Sequence, residues 1–108
     1  MKGLFLTEQE SRQIAINFLD EMGCESYKDN IEIFSDCNGG HGFEIDLADE
    51  NLKISLCTYS NGSVSRMIIS DTVNRDYYET NVPTDANFYD LLDLVSETVE
   101  KAYKKLGI

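Results

Sequence analysis

Apolar residues near the start of the chain recur at three- and four-residue steps, which is the period of an amphipathic helix. Their stripe contains Ile14, Ala15, Phe18, Leu19 and Met22. Thr7 and Glu10 have the spacing of a capping box, in which each side chain accepts a hydrogen bond from a backbone N–H at the helix start. Gly23 can adopt the left-handed conformation that often ends a helix. The pattern therefore predicts a helix over residues 7–22.

The middle of the chain changes to a period of two, which is typical of half-buried strands. β-rich, largely alternating segments predict strands over residues 31–33, 43–47, 52–57, 64–70 and 75–81. The connections between them are short and polar. Residues 49–51 read as a turn, and Asn61-Gly62 is the dipeptide that a type I′ hairpin favours. Neighbouring strands are therefore expected to run antiparallel.

A second apolar stripe, near the end of the chain, predicts a longer helix. Pro83 interrupts the strand pattern, and Thr84 or Asp85 can cap a helix that reaches about Leu106. The stripe comprises Phe88, Leu91, Leu92, Val95, Val99, Ala102 and Leu106. It covers one face of the helix, so that this face is expected to pack on the rest of the domain.

The order of these elements predicts the fold class. Strands do not alternate with helices, so a parallel sheet with crossover helices is not expected. We predict one α+β domain over residues 1–108. It has an N-terminal helix, a four- to five-stranded antiparallel meander sheet and a long C-terminal helix, with both helices packed on one face of the sheet. The pattern shows no linker, internal repeat or low-complexity segment.

The composition limits the kinds of partner. The chain has 20 acidic and 9 basic residues and a formal net charge of −11. Direct binding to nucleic acid or anionic lipid needs concentrated Lys and Arg, and we expect neither. The longest apolar runs, such as residues 67–69, are too short to span a membrane, and the N-terminal one is too short for a secretory signal. With three cysteines and no export signal, we expect free thiols and a cytoplasmic location.

The negative charge is concentrated in two stretches, residues 29–52 and 76–100, which contain no Lys or Arg. Each stretch holds seven acidic residues. On the second helix, four acids spaced by three or four residues form a line about 15 Å long. On one strand, Glu44 and Asp46 lie about 6.6 Å apart on the same face. The candidate partner-binding residues are Glu44, Asp46, Asp49, Glu50, Asp90, Asp93, Glu97 and Glu100.

Two interpretations of these acids remain open. Ordinary solvated faces explain where the acids lie, although not why so few basic residues accompany them. A surface that binds a basic partner explains both, because rows of carboxylates resemble a phosphate backbone in charge density. Tyr77, Tyr78 and Tyr89 are candidate aromatic anchors for such a partner, although tyrosine is also an ordinary strand residue.

The glycine-rich residues 36–42 form the most site-like loop. A phosphate-binding loop of this kind opens a helix, whereas this one leads into a strand. A calcium loop fails because Leu47 occupies the position of the bidentate acid. Cys37 and His41, with Cys24 and Cys57, could form a zinc site, or Cys37 and His41 a catalytic dyad, although the close cysteine pairs of structural zinc sites are missing. We expect a flexible connection here, with no metal, cofactor or catalysis.

In size, acidity and α+β layout the chain resembles small acidic phage-encoded inhibitors of the anti-CRISPR type. No motif carries this resemblance, so it assigns no role to any residue. It implies a non-enzymatic inhibitor in the host cytoplasm that occludes the nucleic-acid channel of a basic partner, such as a Cas effector or another nuclease. An immunity protein or antitoxin that neutralises a toxin nuclease needs the same acidic surface and is the alternative. A small enzyme or metal-binding module that uses Cys37 and His41 is the third possibility.

Overall fold

The computed structural model describes residues 5–35, 40–57, 65–83 and 85–108. Its main elements follow the predicted order: α1 (Glu8–Met22), β1 (Ile31–Ser35), β2 (His41–Leu47), β3 (Leu52–Cys57), β4 (Ser65–Asp71), β5 (Asp76–Val82) and α2 (Phe88–Leu106). Two short 3₁₀ helices, Glu25–Asn30 and Ala48–Glu50, lie before β1 and after β2. The first of these was not predicted, and the second contains most of the predicted polar turn at residues 49–51.

The start and end of α1 agree with the sequence prediction. Thr7 accepts a hydrogen bond from the Glu10 backbone N–H, and the Glu10 carboxylate accepts one from the Thr7 backbone N–H. Gly23 ends the helix in the left-handed conformation, with φ of 70°. These contacts satisfy backbone groups that a helix end otherwise leaves without partners.

The predicted start of α2 was wrong by a few residues. Asn87 caps this helix: its side chain accepts a hydrogen bond from the Asp90 backbone N–H, and the Asp90 carboxylate accepts one from the Asn87 backbone N–H. Asp85 precedes the helix, in a turn that Ala86 closes by donating to the Pro83 carbonyl. Thr84, the other predicted cap, lies outside the described residues. Asn87 rather than Asp85 is the cap because Asp90, three residues after Asn87, completes a capping box with it.

The described strands form one antiparallel meander in the order β1-β2-β3-β4-β5. Both helices pack on the same face, with α1 against β1 and β2, and α2 against β4 and β5. The core between the layers is built from fully buried side chains of α1, α2 and the central strands, such as Phe18, Phe43, Ile54, Ile69 and Leu91. The predicted α+β architecture is confirmed. The predicted Asn61-Gly62 turn and the start of the fourth strand at Val64 lie outside the described residues.

The other face of the sheet carries no helix in the described part of the chain, and a tight contact occurs on it. Phe34 of β1 stands directly opposite Gly42 of β2, and its ring covers the glycine. A Cβ atom at position 42 would lie 2.7 Å from that ring and would also collide with the backbone carbonyl oxygen of Leu56. Glycine is therefore required here by close approach of the neighbouring strand.

We expect the Gly42→Ala substitution to destabilise the protein by roughly 1–3 kcal/mol, because the added methyl group overpacks a buried position. Urea denaturation of the variant and the wild type measures this difference. The Phe34→Ala, Gly42→Ala double variant should stay destabilised, since removing the ring leaves the Leu56 carbonyl in place. A Gly42→Ala variant as stable as the wild type would contradict the assignment.

Candidate partner-binding surfaces

The two groups of predicted acids lie on opposite layers of the domain. Glu44 and Asp46 alternate along β2 with Phe43, Ile45 and Leu47, which are buried against the helices. Their side chains therefore project from the open face of the sheet. The acids of α2 lie on the exposed side of the helix layer. The two groups consequently do not form one continuous negative surface.

On the open face, a cleft of about 280 Å³ lies beside β1 and β2. We call it the sheet cleft; it is lined by Asp29, Asn30, Ile31, Glu32, Glu44 and Asp46. Lys53 of β3 borders these acids, with its Nζ 3.0 Å from Glu44 Oε1. The hydrogen bond and charge of Glu44 raise the pKa of Lys53 above its ordinary value. One lysine thus faces four carboxylates, and the cleft remains negative.

A second cleft, of about 290 Å³, lies where β5 leads into α2. We call it the helix cleft; it is lined by Pro83, Asp85, Ala86, Asp90, Asp93, Leu94 and Glu97. Its acids combine with an apolar floor made by the proline, alanine and leucine side chains. This is the arrangement that a long basic side chain needs, because an aliphatic stem and a charged head are accommodated together.

The acids along α2 are not equally available. Lys101 Nζ lies 2.6 Å from Glu97 Oε1, and Lys104 Nζ lies 3.4 Å from Glu100 Oε1. The hydrogen bond and charge of Glu97 raise the pKa of Lys101. Asp90 is engaged by the capping box, whereas Asp93 makes no ion pair with any described residue. The predicted line of carboxylates exists, but its C-terminal half is partly neutralised.

Asp49 and Glu50 lie in neither cleft. They belong to the 3₁₀ turn after β2, where the Asp49 backbone N–H donates to the Tyr27 hydroxyl oxygen. Burial, and then the charge of Glu50, raise the pKa of the Cys24 thiol, which lies nearby. The structure thus places these two acids in the turn that follows β2, outside both clefts.

Sequence reasoning missed three acids of the clefts. Asp29 and Glu32 line the sheet cleft, and Asp85 lines the helix cleft. All three belong to the stretches without Lys or Arg, and that was the available signal. The pairing of β1 with β2, which sets Glu32 directly opposite Glu44, depends on the strand register and was not visible in the pattern.

The described residues do not bring the candidate Cys and His side chains together as one site. His41 lies in β2, with Nδ1 2.9 Å from the Leu6 carbonyl oxygen, so the ring is held by the main chain before α1. Cys24, which follows α1, and Cys57, which ends β3, are free thiols, and Cys37 lies outside the described residues. Within the described ranges, no three His, Cys, Asp or Glu side chains are arranged to hold a metal ion.

The three candidate tyrosines point to different places. Tyr77 is half exposed on the open face, beside Lys105 of α2. Tyr78 packs against the core from the opposite face. Tyr89 is 72% exposed and its ring contacts Phe88 edge-on at the start of α2, next to Asp90 of the helix cleft. Only Tyr89 can act as an aromatic anchor close to that cleft.

Neutralising Asp93, which has no ion pair with a described residue, should affect the melting temperature differently from neutralising Glu97, which is paired with Lys101. We expect Asp93→Asn to raise the melting temperature by about 1–3 °C at low salt, because it removes repulsion from Asp90 and Glu97, three and four residues away. Glu97→Gln should lower it or leave it unchanged, since the ion pair with Lys101 is lost. Calorimetry at 20 mM and 500 mM salt tests both, and the difference should shrink at the higher concentration. A lower melting temperature for Asp93→Asn would show that Asp93 has a stabilising contact.

Comparison with known proteins adds no family to this geometry. The chain matches no protein-family model, no curated protein and no solved structure. Among the helices in the described ranges, none has the length and apolar character to cross a membrane.

Proposed function

We propose that this protein is a non-enzymatic acidic binding protein that docks on a basic, nucleic-acid-binding partner and blocks it. The observation that carries the proposal is the helix cleft, in which four carboxylates surround an apolar floor. A lysine or arginine side chain of the partner fits this cleft, with its stem on Leu94 and its charge among Asp90, Asp93 and Glu97.

The charge of the whole chain supports the same partner class. A net charge of −11 on a small domain repels nucleic acid and acidic proteins and accelerates encounter with a basic surface. Such a surface is what a nucleic-acid-binding protein presents to its own ligand. Occupying it with carboxylates would displace that ligand, and this is the mode of action that the resemblance to anti-CRISPR inhibitors implies.

Affinity capture with matched baits tests the proposal. The wild type, an Asp93→Asn, Glu97→Gln variant and a Glu8→Gln, Glu25→Gln control are immobilised and exposed to lysate of the native host. The last two have lost the same charge, but Glu8 and Glu25 lie outside both clefts. We expect the wild type and the control to capture the same basic protein, and the helix-cleft variant to bind it about tenfold more weakly.

Binding and inhibition assays with the captured protein then test the mechanism. Titration at 50 and 200 mM salt should show weaker binding at the higher concentration, and added DNA or RNA should compete with the wild type for the partner. The wild type should also inhibit the partner's nucleic-acid binding or cleavage. Binding that responds neither to salt nor to the Asp93→Asn, Glu97→Gln substitutions would overturn the proposal. The identity of the partner distinguishes a Cas effector from a toxin.

A further inference from the structure

The two edges of the sheet differ in how they are protected. At the β5 edge, the Lys105 side chain donates a hydrogen bond to the Tyr77 carbonyl oxygen and lies 3.5 Å from Asp76. β1 pairs with β2 on one side, and no described residue pairs with the backbone on its other side. An unpaired edge presents N–H and C=O groups to which an extended chain can bind as an additional strand.

The charge beside this edge selects a basic chain. Glu32 of β1 stands directly opposite Glu44 of β2, an arrangement of like charges that is unfavourable across two strands. Glu44 is compensated by Lys53 on β3, whereas Glu32 makes no ion pair with any described residue. A residue added beyond β1 would stand next to Glu32 on its uncompensated side, where a lysine or arginine is favoured.

Phe34 provides a second contact on the same face. It lies two residues after Glu32, its ring covers Gly42, and 40% of its surface is exposed. A basic side chain on a neighbouring strand can lie over the exposed part of the ring, as a cation–π contact. The intervening residues of that strand would lie beside Ile31 and Ile33, which face the helix side.

We propose that β1 accepts an extended segment of the partner as a sixth strand, with basic residues alternating with apolar ones. The basic residues lie beside Glu32 and Phe34 on the open face, and the apolar ones lie beside Ile31 and Ile33. The inference rests on the proposed function only in that the partner is basic. A second copy of this chain is disfavoured as the occupant, because it brings another −11 charge to an acidic edge.

A synthetic peptide tests the pairing directly. The probe is a fluorescent peptide of about nine residues, the length of a long strand, in which lysine alternates with valine. One control has the same composition with the lysines grouped at one end. A second control is N-methylated at alternate residues, on the edge that faces β1 in the paired form, and cannot pair there. We expect the alternating peptide to bind at least about tenfold more tightly than either control, and to slow amide hydrogen exchange in β1.

Matched variants locate the peptide. Glu32→Gln should weaken its binding about threefold and Glu32→Lys about tenfold, because one cancels and the other reverses the charge beside the added strand. Glu8→Gln, which removes an acid outside both clefts, should leave its affinity unchanged, and Asp93→Asn measured beside it reports any binding to the helix cleft. Both Glu32 substitutions are at an exposed edge position, and circular dichroism verifies that the variants remain folded.

Several results would overturn the inference. Equal binding of all three peptides would show charge attraction without strand pairing, and loss of binding with Asp93→Asn would move the peptide to the helix cleft. In both cases the proposed function would stand. If amide hydrogen exchange in β1 becomes slower as the protein concentration is raised without peptide, then a second copy of the chain, and not the partner, pairs with this edge. No detectable peptide binding at 50 mM salt would also contradict the proposed strand pairing. The proposed function would then be tested by the capture experiment alone.

Discussion

The docking of both helices on one face of a five-stranded sheet determines which residues this protein exposes on its two outer layers. Successive side chains of a strand point to opposite faces of the sheet, so the neighbours of every β2 residue that faces the helices lie on the open face. Phe43 is buried against Phe18 of α1, with ring centroids 6.0 Å apart, and Glu44 is thereby directed outward. The same packing fixes α2 by its apolar stripe and leaves its acidic line exposed. The core thus separates the acids into two surfaces.

The distribution of charge along α2 serves both the helix and the surface. Asp90 at the first turn and Lys104 and Lys105 at the last one complement the helix dipole, and the pairs formed by Lys101 and Lys104 add local support. Helix stability explains these residues without any partner. It does not explain Asp93, which follows the first turn and repels Asp90 and Glu97, three and four residues away, in the helix cleft. Asp93 is therefore the acid of this helix that a binding role explains better than helix stability does.

Much of the fold could be predicted from the chain because its elements are locally consistent. The Thr7–Glu10 capping box, the stripe periods and the strand alternation all indicate the same α+β arrangement. Thr98 shows what the pattern could not supply: it is polar but fully buried, since its hydroxyl lies 3.0 Å from that of Thr80 on β5. The start of α2 was misplaced for a similar reason, because several adjacent residues can cap a helix and the contact with Asp90 decides among them.

The site was less predictable than the fold because clefts depend on register and layer. Composition identified the acidic stretches, and most of the predicted acids line one of the two clefts. No local pattern indicates that Glu32 meets Glu44 across two strands, or that Asp49 and Glu50 lie in a 3₁₀ turn outside both clefts. The first relation depends on the register of β1 against β2, which the alternation of each strand taken by itself does not specify.

The acidic edge of β1 has a consequence for both solubility and recognition. An unprotected edge strand tends to pair with further copies of the same chain, and inward or flanking charges are a common protection. Glu32 can provide this protection, since an identical chain would bring its own acidic edge against it. If a basic strand binds here as proposed, the charge that repels a second copy is also the charge that attracts this strand, and Glu32 would then serve both purposes. A protein that protected this edge with a lysine, as the β5 edge is protected by Lys105, would have lost that selectivity.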